Sequence, residues 1–514
     1  MGFDPRRPLA SLGLVAFLLL AGPAGPAASG ATPAPAPSTS SGATPTPSPT
    51  AVSGPSTTPP GLVAATCRGD APTGARCDTL WVPLDYSDPA MGTIPTAVIV
   101  IPAKDPSERI GSLLVNPGGP GESGVQFVED TYPIFATLNE RFDIVGFDPR
   151  GTTGPDAVSC EGTDAMDHDV GLDPLAAGSP ATEADLVTST LAFDDACRLH
   201  SGWLLPYVGT VNAARDLDAL RAALGGAQLT YLGFSYGTAL GATYASLFPT
   251  HIRAMVLDGD IDPALSYMEE SVEQGASFEA SYAEFVSECQ PVSSCPLGTD
   301  PGGTITSLLA QLASHPIPTP DGRTVGRGTA IAGLVAAMYD PSSWSDFYAA
   351  FADASQGNAL PLQSVVDSYT GRGPQGYDPS TAANAAINCA DHSVPEELAG
   401  YDSLAASVQA SEPHFGQDEV YSALTCAYWP VHGPAPAALD ITAAPPILLV
   451  GATHDPATPY AWSLALQKQI TGSVLLTRDG YGHTSYVFSA CIQTAVNAYL
   501  VDLTVPGAGT TCES

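Results

Sequence analysis

Basic residues are scarce in this chain of 514 residues: 17 Lys and Arg stand against 53 Asp and Glu, a formal net charge of −36 at pH 7. Such an excess of negative charge argues against nucleic acid and anionic membrane surfaces as partners, and it mildly favours ligands that carry an amine. A simpler interpretation, a soluble surface that repels its own copies, stays open beside it.

Motifs for metals and nucleotides are also lacking. The chain has no C-x-x-C pair and no group of Cys and His with the spacing of a zinc finger. Its glycine-rich stretch "NPGGPGESG" (116–124) does not end in the Lys-Ser/Thr pair of a phosphate-binding loop. We therefore expect no metal and no cofactor.

The sequence has no apolar run long enough to span a membrane, and its most distinct apolar run is a short one near the N-terminus. Arg6 and Arg7 precede an apolar run from Leu9 to Ala21, and small residues follow at 29–31. This pattern is typical of a secretory signal peptide, so we assign residues 1–30 to it and expect a secreted protein without a membrane span. The Arg-Arg pair leaves both general and twin-arginine export open. Residues 31–60 are rich in Pro, Ser and Thr and carry no charge, which predicts a disordered linker.

Ten cysteines are present, and in an exported protein an even number favours disulfides. Sequence alone does not fix their connectivity. Our expectation joins sequence neighbours: Cys67 with Cys77, Cys160 with Cys197, Cys289 with Cys295, Cys389 with Cys426, and Cys491 with Cys512.

Short apolar runs alternate with helical patterns from residue 61 onwards, which predicts an α/β fold with a mostly parallel central sheet. The predicted strands are 80–86, 96–103, 112–116, 142–147, 229–234, 253–259, 445–451 and 473–477. Helical patterns dominate from about 263 to 440. We therefore predict a first core segment (61–262), an inserted helical cap (263–440) and a second core segment (441–514).

The stretch "LGFSYGTALG" (232–241) places Ser235 between Gly233 and Gly237, after a predicted strand and before a predicted helix. In G-x-S-x-G, the serine occupies a sharp strand-to-helix turn that exposes its hydroxyl above the sheet. This context predicts a nucleophile. The alternative is a serine that only caps the helix.

A nucleophilic serine needs a base and an acid that orients the base, in the chain order Ser, Asp or Glu, His. Asp455 follows the strand at 445–451, and His483 follows the last predicted strand. We predict these two as the partners of Ser235. Asp258, at the end of the preceding strand, is the rival acid, whereas His454 is interpreted as a surface or packing residue.

An oxyanion hole needs two backbone N–H donors beside the nucleophile. One should come from Tyr236, the residue after the serine. The other should come from the loop after an early strand, where Gly118 and Gly119 allow the backbone to approach a substrate. A plain structural turn is the alternative for that loop.

Several motifs together resemble the secreted bacterial tripeptidyl aminopeptidases, serine peptidases of the α/β-hydrolase superfamily that are related to proline iminopeptidases. The motifs are "LLVNPGGPGESG", "FDIVGFDPRG", "YLGFSYGT", "INCAD" and "GATHDPATPY…GYGHTSY". They stand in the family's order, and the resemblance runs from about residue 64 to the C-terminus. It implies an α/β-hydrolase fold with a helical cap and the release of short peptides, often tripeptides, from free N-termini.

The family's triad carries over to Ser235, Asp455 and His483, and its oxyanion loop to Gly118 and Gly119. Thr458 stands where the family usually has Thr, which implies that it shapes the loop holding Asp455; the alternative is a threonine that only caps a helix.

The resemblance also implies carboxylates in the cap that bind the substrate ammonium, which an internal peptide bond lacks. The candidates are Glu269, Glu270, Glu279 and Asp391. Asp148 and Arg150, in "FDPRG", are interpreted as a structural brace.

Two departures from the family's motifs bear on the pocket. The arginine–glycine motif, which in the family often continues as G-x-G-x-S, reads "RGTTGP" from Arg150 onwards, and "FVSEC" lacks the aromatic residue that relatives tend to carry before the cysteine. Peptide length and side-chain preference therefore stay open. The alternative function is an esterase or amidase with the same triad, and a non-catalytic binding protein is a third. A monomer is the default expectation.

Overall fold

The computed structural model describes residues 54–67, 71–173, 180–290, 292 and 294–513. The predicted signal peptide and the predicted linker as far as residue 53 lie outside these residues. The last part of the predicted linker is ordered, because Ser56 and Thr93 exchange backbone hydrogen bonds of 2.7 and 2.9 Å. The linker therefore ends earlier than the sequence suggested.

A ten-stranded sheet forms the centre of the described chain, in the order β1-β2-β3-β5-β4-β6-β7-β12-β13-β14. The pairs from β5 through β14 are parallel, and those joining β1, β2, β3 and β5 are antiparallel. The strands are β1 Gly61–Ala65, β2 Arg76–Pro83, β3 Thr93–Ile101, β4 Gly111–Asn116, β5 Phe142–Phe147, β6 Leu229–Phe234, β7 Ile252–Asp258, β12 Leu448–His454, β13 Val474–Tyr481 and β14 Thr511–Glu513; two small hairpins add β8 Ile317–Pro318, β9 Thr324–Val325, β10 Arg372–Gly373 and β11 Gly376–Tyr377.

Helices cover both faces of the sheet and fill the segment between β7 and β12. The helices are α1 Gly124–Thr131, α2 Ala136–Asn139, α3 Thr163–Gly171, α4 Pro180–Ser201, α5 Thr210–Ala223, α6 Tyr236–Leu247, α7 Tyr267–Cys289, α8 Pro301–Ser314, α9 Arg327–Tyr339, α10 Trp344–Ser355, α11 Leu360–Tyr369, α12 Ser380–Asp391, α13 Leu398–Val408, α14 Gly416–Ser422, α15 Tyr460–Gln469 and α16 Ala490–Asp502. Helices α7 to α14 form the cap. The predicted class, an α/β-hydrolase fold with an inserted helical cap, is confirmed.

The parallel strands are buried on both faces, as their unbroken apolar runs require. Side chains alternate along β4, so that Leu114 packs in the core cluster on one face while Leu113 and Val115 pack in the cluster on the other. The cap has a core of its own, which includes Phe285 and Phe351. None of the described helices combines enough length with enough apolar character to pass through a bilayer.

The strand predictions are confirmed for the eight runs, with shifted ends. The run predicted at 445–451 begins only at Leu448, because Pro445 and Pro446 cannot donate to the sheet. The edge strands β1 and β14 were not predicted, since they are short and mostly exposed. The exact boundaries of the cap, 263 and 440, stay predictions.

Five disulfides join the sequence neighbours that we expected. They are Cys67–Cys77, Cys160–Cys197, Cys289–Cys295, Cys389–Cys426 and Cys491–Cys512.

The contacts of Arg150 agree with the predicted structural brace. Arg150 is 1% exposed, and its guanidinium binds both carboxylate oxygens of Asp216 at 2.6 and 2.7 Å. The same group donates to the carbonyls of Pro83, Leu84 and Tyr207. Arg150 thereby connects the end of β2 and the segment before α5 to Asp216 in α5.

We expect Arg150→Met to lower the free energy of unfolding by about 3–5 kcal/mol, because it removes the cation that pairs with the buried Asp216 carboxylate. Arg198→Met is the matched control, since Arg198 pairs with Asp195 on the surface, where such a pair contributes about 1 kcal/mol or less. Urea unfolding of both variants measures the difference. Equal losses would contradict the brace.

Candidate functional site

Ser235 lies in the turn between β6 and α6 with φ 54° and ψ −126°, a region that non-glycine residues rarely occupy. Such a conformation costs about 1–3 kcal/mol and persists only where the surroundings enforce it. Here the Ser235 amide donates to the Asp258 carbonyl (2.9 Å), and the Thr238 amide donates to the Ser235 carbonyl (2.7 Å). A Cβ on Gly233 would lie 2.4 Å from the Gly237 carbonyl oxygen, so the glycines of the motif allow this sharp turn.

Asp455 and His483 lie together after the neighbouring strands β12 and β13. His483 Nδ1 is 2.8 Å from Asp455 Oδ1, and the Thr484 amide donates to Asp455 Oδ2 at 2.9 Å. The Thr458 amide also donates to Oδ1 (2.8 Å), and the Thr458 hydroxyl is 3.4 Å from His483 Nδ1. The predicted acid and histidine are thus brought together, with Thr458 beside them.

Asp455 is held in its charged form. Burial raises the pKa of its carboxyl, but the interactions with His483 and the amides of Thr458 and Thr484 outweigh burial and bring the pKa below its usual value. An ionised carboxylate at 2.8 Å assigns the proton of His483 to Nδ1 and leaves Nε2 as the basic nitrogen. Within the described part of the chain, His483 Nε2 is buried and has no hydrogen-bond partner.

Asp258, the rival acid, binds backbone and not the imidazole. Its Oδ2 accepts the amides of Ser485 (3.1 Å) and Tyr486 (2.7 Å), just after the histidine. Burial raises the pKa of Asp258 to about 7. Asp258 therefore anchors the histidine loop, while Asp455 contacts the ring. His454 is exposed and stacks on Tyr481, in keeping with its interpretation as a packing residue.

The loop after β4 packs directly against the nucleophile turn. A Cβ on Gly118 would lie 2.8 Å from Ser235 Cβ and 3.1 Å from the Tyr236 amide nitrogen. The Gly118 amide already donates to the Asn116 side chain (3.1 Å). Gly119 lines the cavity next to Ser235 and Tyr236. Of the two predicted loop glycines, Gly119 is therefore the one that lines the cavity, and its role in an oxyanion hole stays a prediction.

A cavity of about 840 Å³ lies above Ser235, between the core loops and the cap. Its lining includes five acidic residues: Asp169, Glu270, Asp391, Asp418 and Glu419. Among the described residues that line it, none is Lys or Arg, and burial lowers the pKa of its one histidine, His392, to about 4. The cavity thus offers acidic groups and no cationic side chain.

Burial keeps several of these carboxyl groups from ionising easily. It raises the pKa of Glu270 to about 8, with repulsion from Asp262 and Glu273 adding to the effect. It likewise raises the pKa of Glu419 to about 8, with repulsion from Asp418 adding to it. In the described structure, Glu270 is 7% exposed and its Oε1 has no hydrogen-bond partner. A bound cation would stabilise the ionised forms of both groups.

Two of the four predicted cap carboxylates, Glu270 and Asp391, line the cavity, but Glu269 and Glu279 do not. Glu269 is exposed and closes a capping box with Ser266 at the start of α7, and the Glu279 carboxylate binds His414 (2.7 Å). Both carboxylates are thereby directed to partners outside the cavity.

The positions of these residues around the axis of α7 could have distinguished Glu270 from the other candidates on this helix. Glu270 lies four and eight residues before Gln274 and Phe278, which also line the cavity, so the three share one helix face. Asp418 and Glu419 were missed because they begin a short helix whose sequence shows no distinct periodicity.

Single hydrogen bonds join the cap to core loops that form the site. These bonds run from Asn384 to the Pro120 carbonyl (3.0 Å), from Gln274 to the Ala457 carbonyl (2.7 Å) and from the His483 amide to the Tyr339 carbonyl (2.9 Å). The Tyr339 ring also lies edge-on to the His483 ring, with centroids 5.2 Å apart. Tyr339 was not anticipated, because no motif marks it. Among the described residues, no three His, Cys, Asp or Glu side chains are grouped to hold a metal ion.

Comparison with known proteins gives consistent similarities. A model of the TAP-like protein family matches residues 412–512. The chain is 38% identical to serine protease Hip1 of Mycobacterium tuberculosis over 465 residues, which cover 86% of this chain and 88% of the relative. It is 37% identical to carboxylesterase B of the same species over 459 residues (85% and 86%). It is 31% identical to tripeptidyl aminopeptidase of Streptomyces lividans over 457 residues (86% and 84%).

We expect Asp455→Asn to lower kcat on an aryl ester by about 10⁴-fold, because an amide no longer holds His483 in the required tautomer. Asp258→Asn should lower kcat by about tenfold or less, since Asp258 binds backbone amides and not the ring. Steady-state hydrolysis of p-nitrophenyl acetate, with Ser235→Ala as the blank, measures both. A greater loss from Asp258→Asn would reverse the assignment of the acid.

Proposed function

The chain belongs to the TAP-like serine hydrolases, the family of Hip1 and the tripeptidyl aminopeptidases, and on that basis we propose that it is a secreted serine exopeptidase. It releases short peptides from the free N-termini of its substrates, and we expect these products to be tripeptides. The five disulfides support an oxidising destination, as does the predicted signal peptide.

In the proposed reaction, Ser235 Oγ bonds to the scissile carbonyl carbon while its proton passes to His483 Nε2. The resulting oxyanion accepts hydrogen bonds from the amides of Tyr236 and Gly119. The C–N bond then breaks, and His483 returns the proton to the leaving amine. Water next attacks the acyl carbon and gives its proton to His483, which passes it to Ser235 as the short peptide leaves. Asp455 stabilises the imidazolium throughout.

One observation carries the exopeptidase proposal: Glu270 presents a buried carboxyl with an unbonded Oε1 to a cavity whose described lining contains no Lys or Arg. Leaving such a group unpaired is costly, and an ammonium would compensate it. Glu419 lines the same cavity with a similarly raised pKa. A free N-terminus supplies the matching charge, and an internal peptide bond does not. We therefore assign Glu270 and Glu419 to the substrate amine.

An esterase is the second candidate, favoured by the 37% identity to a relative named carboxylesterase B. The triad and the oxyanion donors would serve an ester equally well. The two functions differ in the need for a charged amine.

The test compares a tripeptide p-nitroanilide with a free N-terminus against the same peptide acetylated. We expect the free peptide to be hydrolysed with a kcat/KM at least about 100-fold higher, since acetylation leaves the acidic groups uncompensated. Ser235→Ala measures the background. Similar rates on both peptides, or turnover of p-nitrophenyl acetate alone, would favour the esterase.

Two neighbouring residues of α7 give a matched pair of variants. We expect Glu270→Gln to raise KM for the free peptide about tenfold to 100-fold, because one charged hydrogen bond to the ammonium is lost. Glu269→Gln should leave KM unchanged, since that side chain is exposed and Gln can also close a capping box. KM for p-nitrophenyl acetate should not change in either variant. A rise from both variants, or from neither, would contradict the assignment of Glu270.

A further inference from the structure

A chain of hydrogen bonds connects the cap to the residue that follows the nucleophile. Asp391 ends α12 in the cap, and its Oδ1 accepts the amide of Thr210, the first residue of α5 in the core (2.8 Å). Its Oδ2 accepts the Thr210 hydroxyl, which also bonds to the Tyr236 hydroxyl. Tyr236 begins α6 immediately after Ser235.

The donors and acceptors available in these groups allow the hydrogen bonds to run in only one direction. A carboxylate only accepts, so the Thr210 hydroxyl donates its single proton to Asp391, and the Tyr236 hydroxyl must donate to Thr210. Burial raises the pKa of Asp391 to about 6 and the pKa of Tyr236 above its usual value. At neutral pH the first group is therefore mostly ionised and the second protonated, as this direction requires.

Both oxygens of Asp391 are thus already bonded, although the residue was a candidate for the substrate amine. Glu270 differs in this respect, because its Oε1 has no partner among the described residues. Asp391 is better suited to hold a core element in place than to receive an ammonium.

The nucleophile turn has other ties, and they remain within the core. The Ser235 amide bonds to the Asp258 carbonyl, and the Tyr231 hydroxyl donates to the Gly237 carbonyl (2.8 Å). The series of hydrogen bonds through Thr210 differs because it ends on a cap residue, Asp391. It fixes the ring of Tyr236, the residue whose amide the proposed function assigns to the oxyanion.

We infer that Asp391 is a positioning residue which, through Thr210 and the Tyr236 hydroxyl, holds the Tyr236 amide in place to stabilise the oxyanion. The inference rests on the oxyanion role of that amide in the proposed function. Asp391 and Thr210 need not contact the reacting atoms.

The test removes only the middle hydroxyl. Thr210→Val keeps the shape and the backbone amide of residue 210 but breaks both side-chain bonds. We expect kcat for p-nitrophenyl acetate to fall about tenfold to 100-fold with KM within about threefold of wild type, because a donor that serves the transition state is displaced. The affinity for phenylboronic acid, whose tetrahedral adduct with the serine mimics the intermediate, should fall by a similar factor.

Two variants serve as controls. Thr210→Ser keeps the hydroxyl and should restore kcat to within about threefold of wild type. Thr494→Val makes the same substitution on the exposed face of α16 and should leave kcat unchanged. If Thr210→Val does not fold, Tyr236→Phe breaks the same chain at its other end and should give the same pattern.

A kcat within twofold of wild type in Thr210→Val or Tyr236→Phe would overturn the inference. So would a loss of kcat without weaker boronate binding. Because the ester and the boronate need no amine, a wild-type chain that hydrolyses the ester but not the free peptide would overturn the exopeptidase alone.

Discussion

Asp258 joins the two halves of the site. Its backbone carbonyl accepts the amide of Ser235, and its carboxyl accepts the amides of Ser485 and Tyr486 behind the histidine. A strained serine and a histidine loop are thus fixed to the end of one strand, β7. Because β7 pairs with both β6 and β12, the sheet itself sets the spacing of the nucleophile, the acid and the base. A strained turn can be kept only in a framework of this rigidity.

Much of this arrangement could be predicted from local patterns. The glycines around Ser235, the apolar runs that end at Asp258 and before Asp455, and the loop that holds His483 are each visible within about ten residues of sequence. Local sequence does not decide which of the two aspartates, Asp258 or Asp455, contacts the imidazole of His483. Both follow parallel strands, and only the path of the backbone decides that one carboxyl meets the imidazole and the other meets amides.

The cap carboxylates that line the cavity were also hard to predict, because three-dimensional packing and not local sequence selects them. Glu269 and Glu270 are adjacent and chemically identical, yet about 100° of helical rotation separates a solvated capping residue from a buried one. Asp418 and Glu419 reach the cavity only through the packing of α14 on α7, a contact between segments far apart in the sequence. The overall excess of acidic residues gave no guide, because it does not show which carboxyl groups line the cavity with a pKa that burial raises.

The bonds between the cap and Pro120, Ala457 and His483 also make the cap part of the support of the catalytic loops. A cap that is absent or unfolded would leave the oxyanion loop, the acid loop and the histidine loop each without a support. Ordering of the catalytic loops therefore depends in part on the folded cap, and not only on the sheet that carries them.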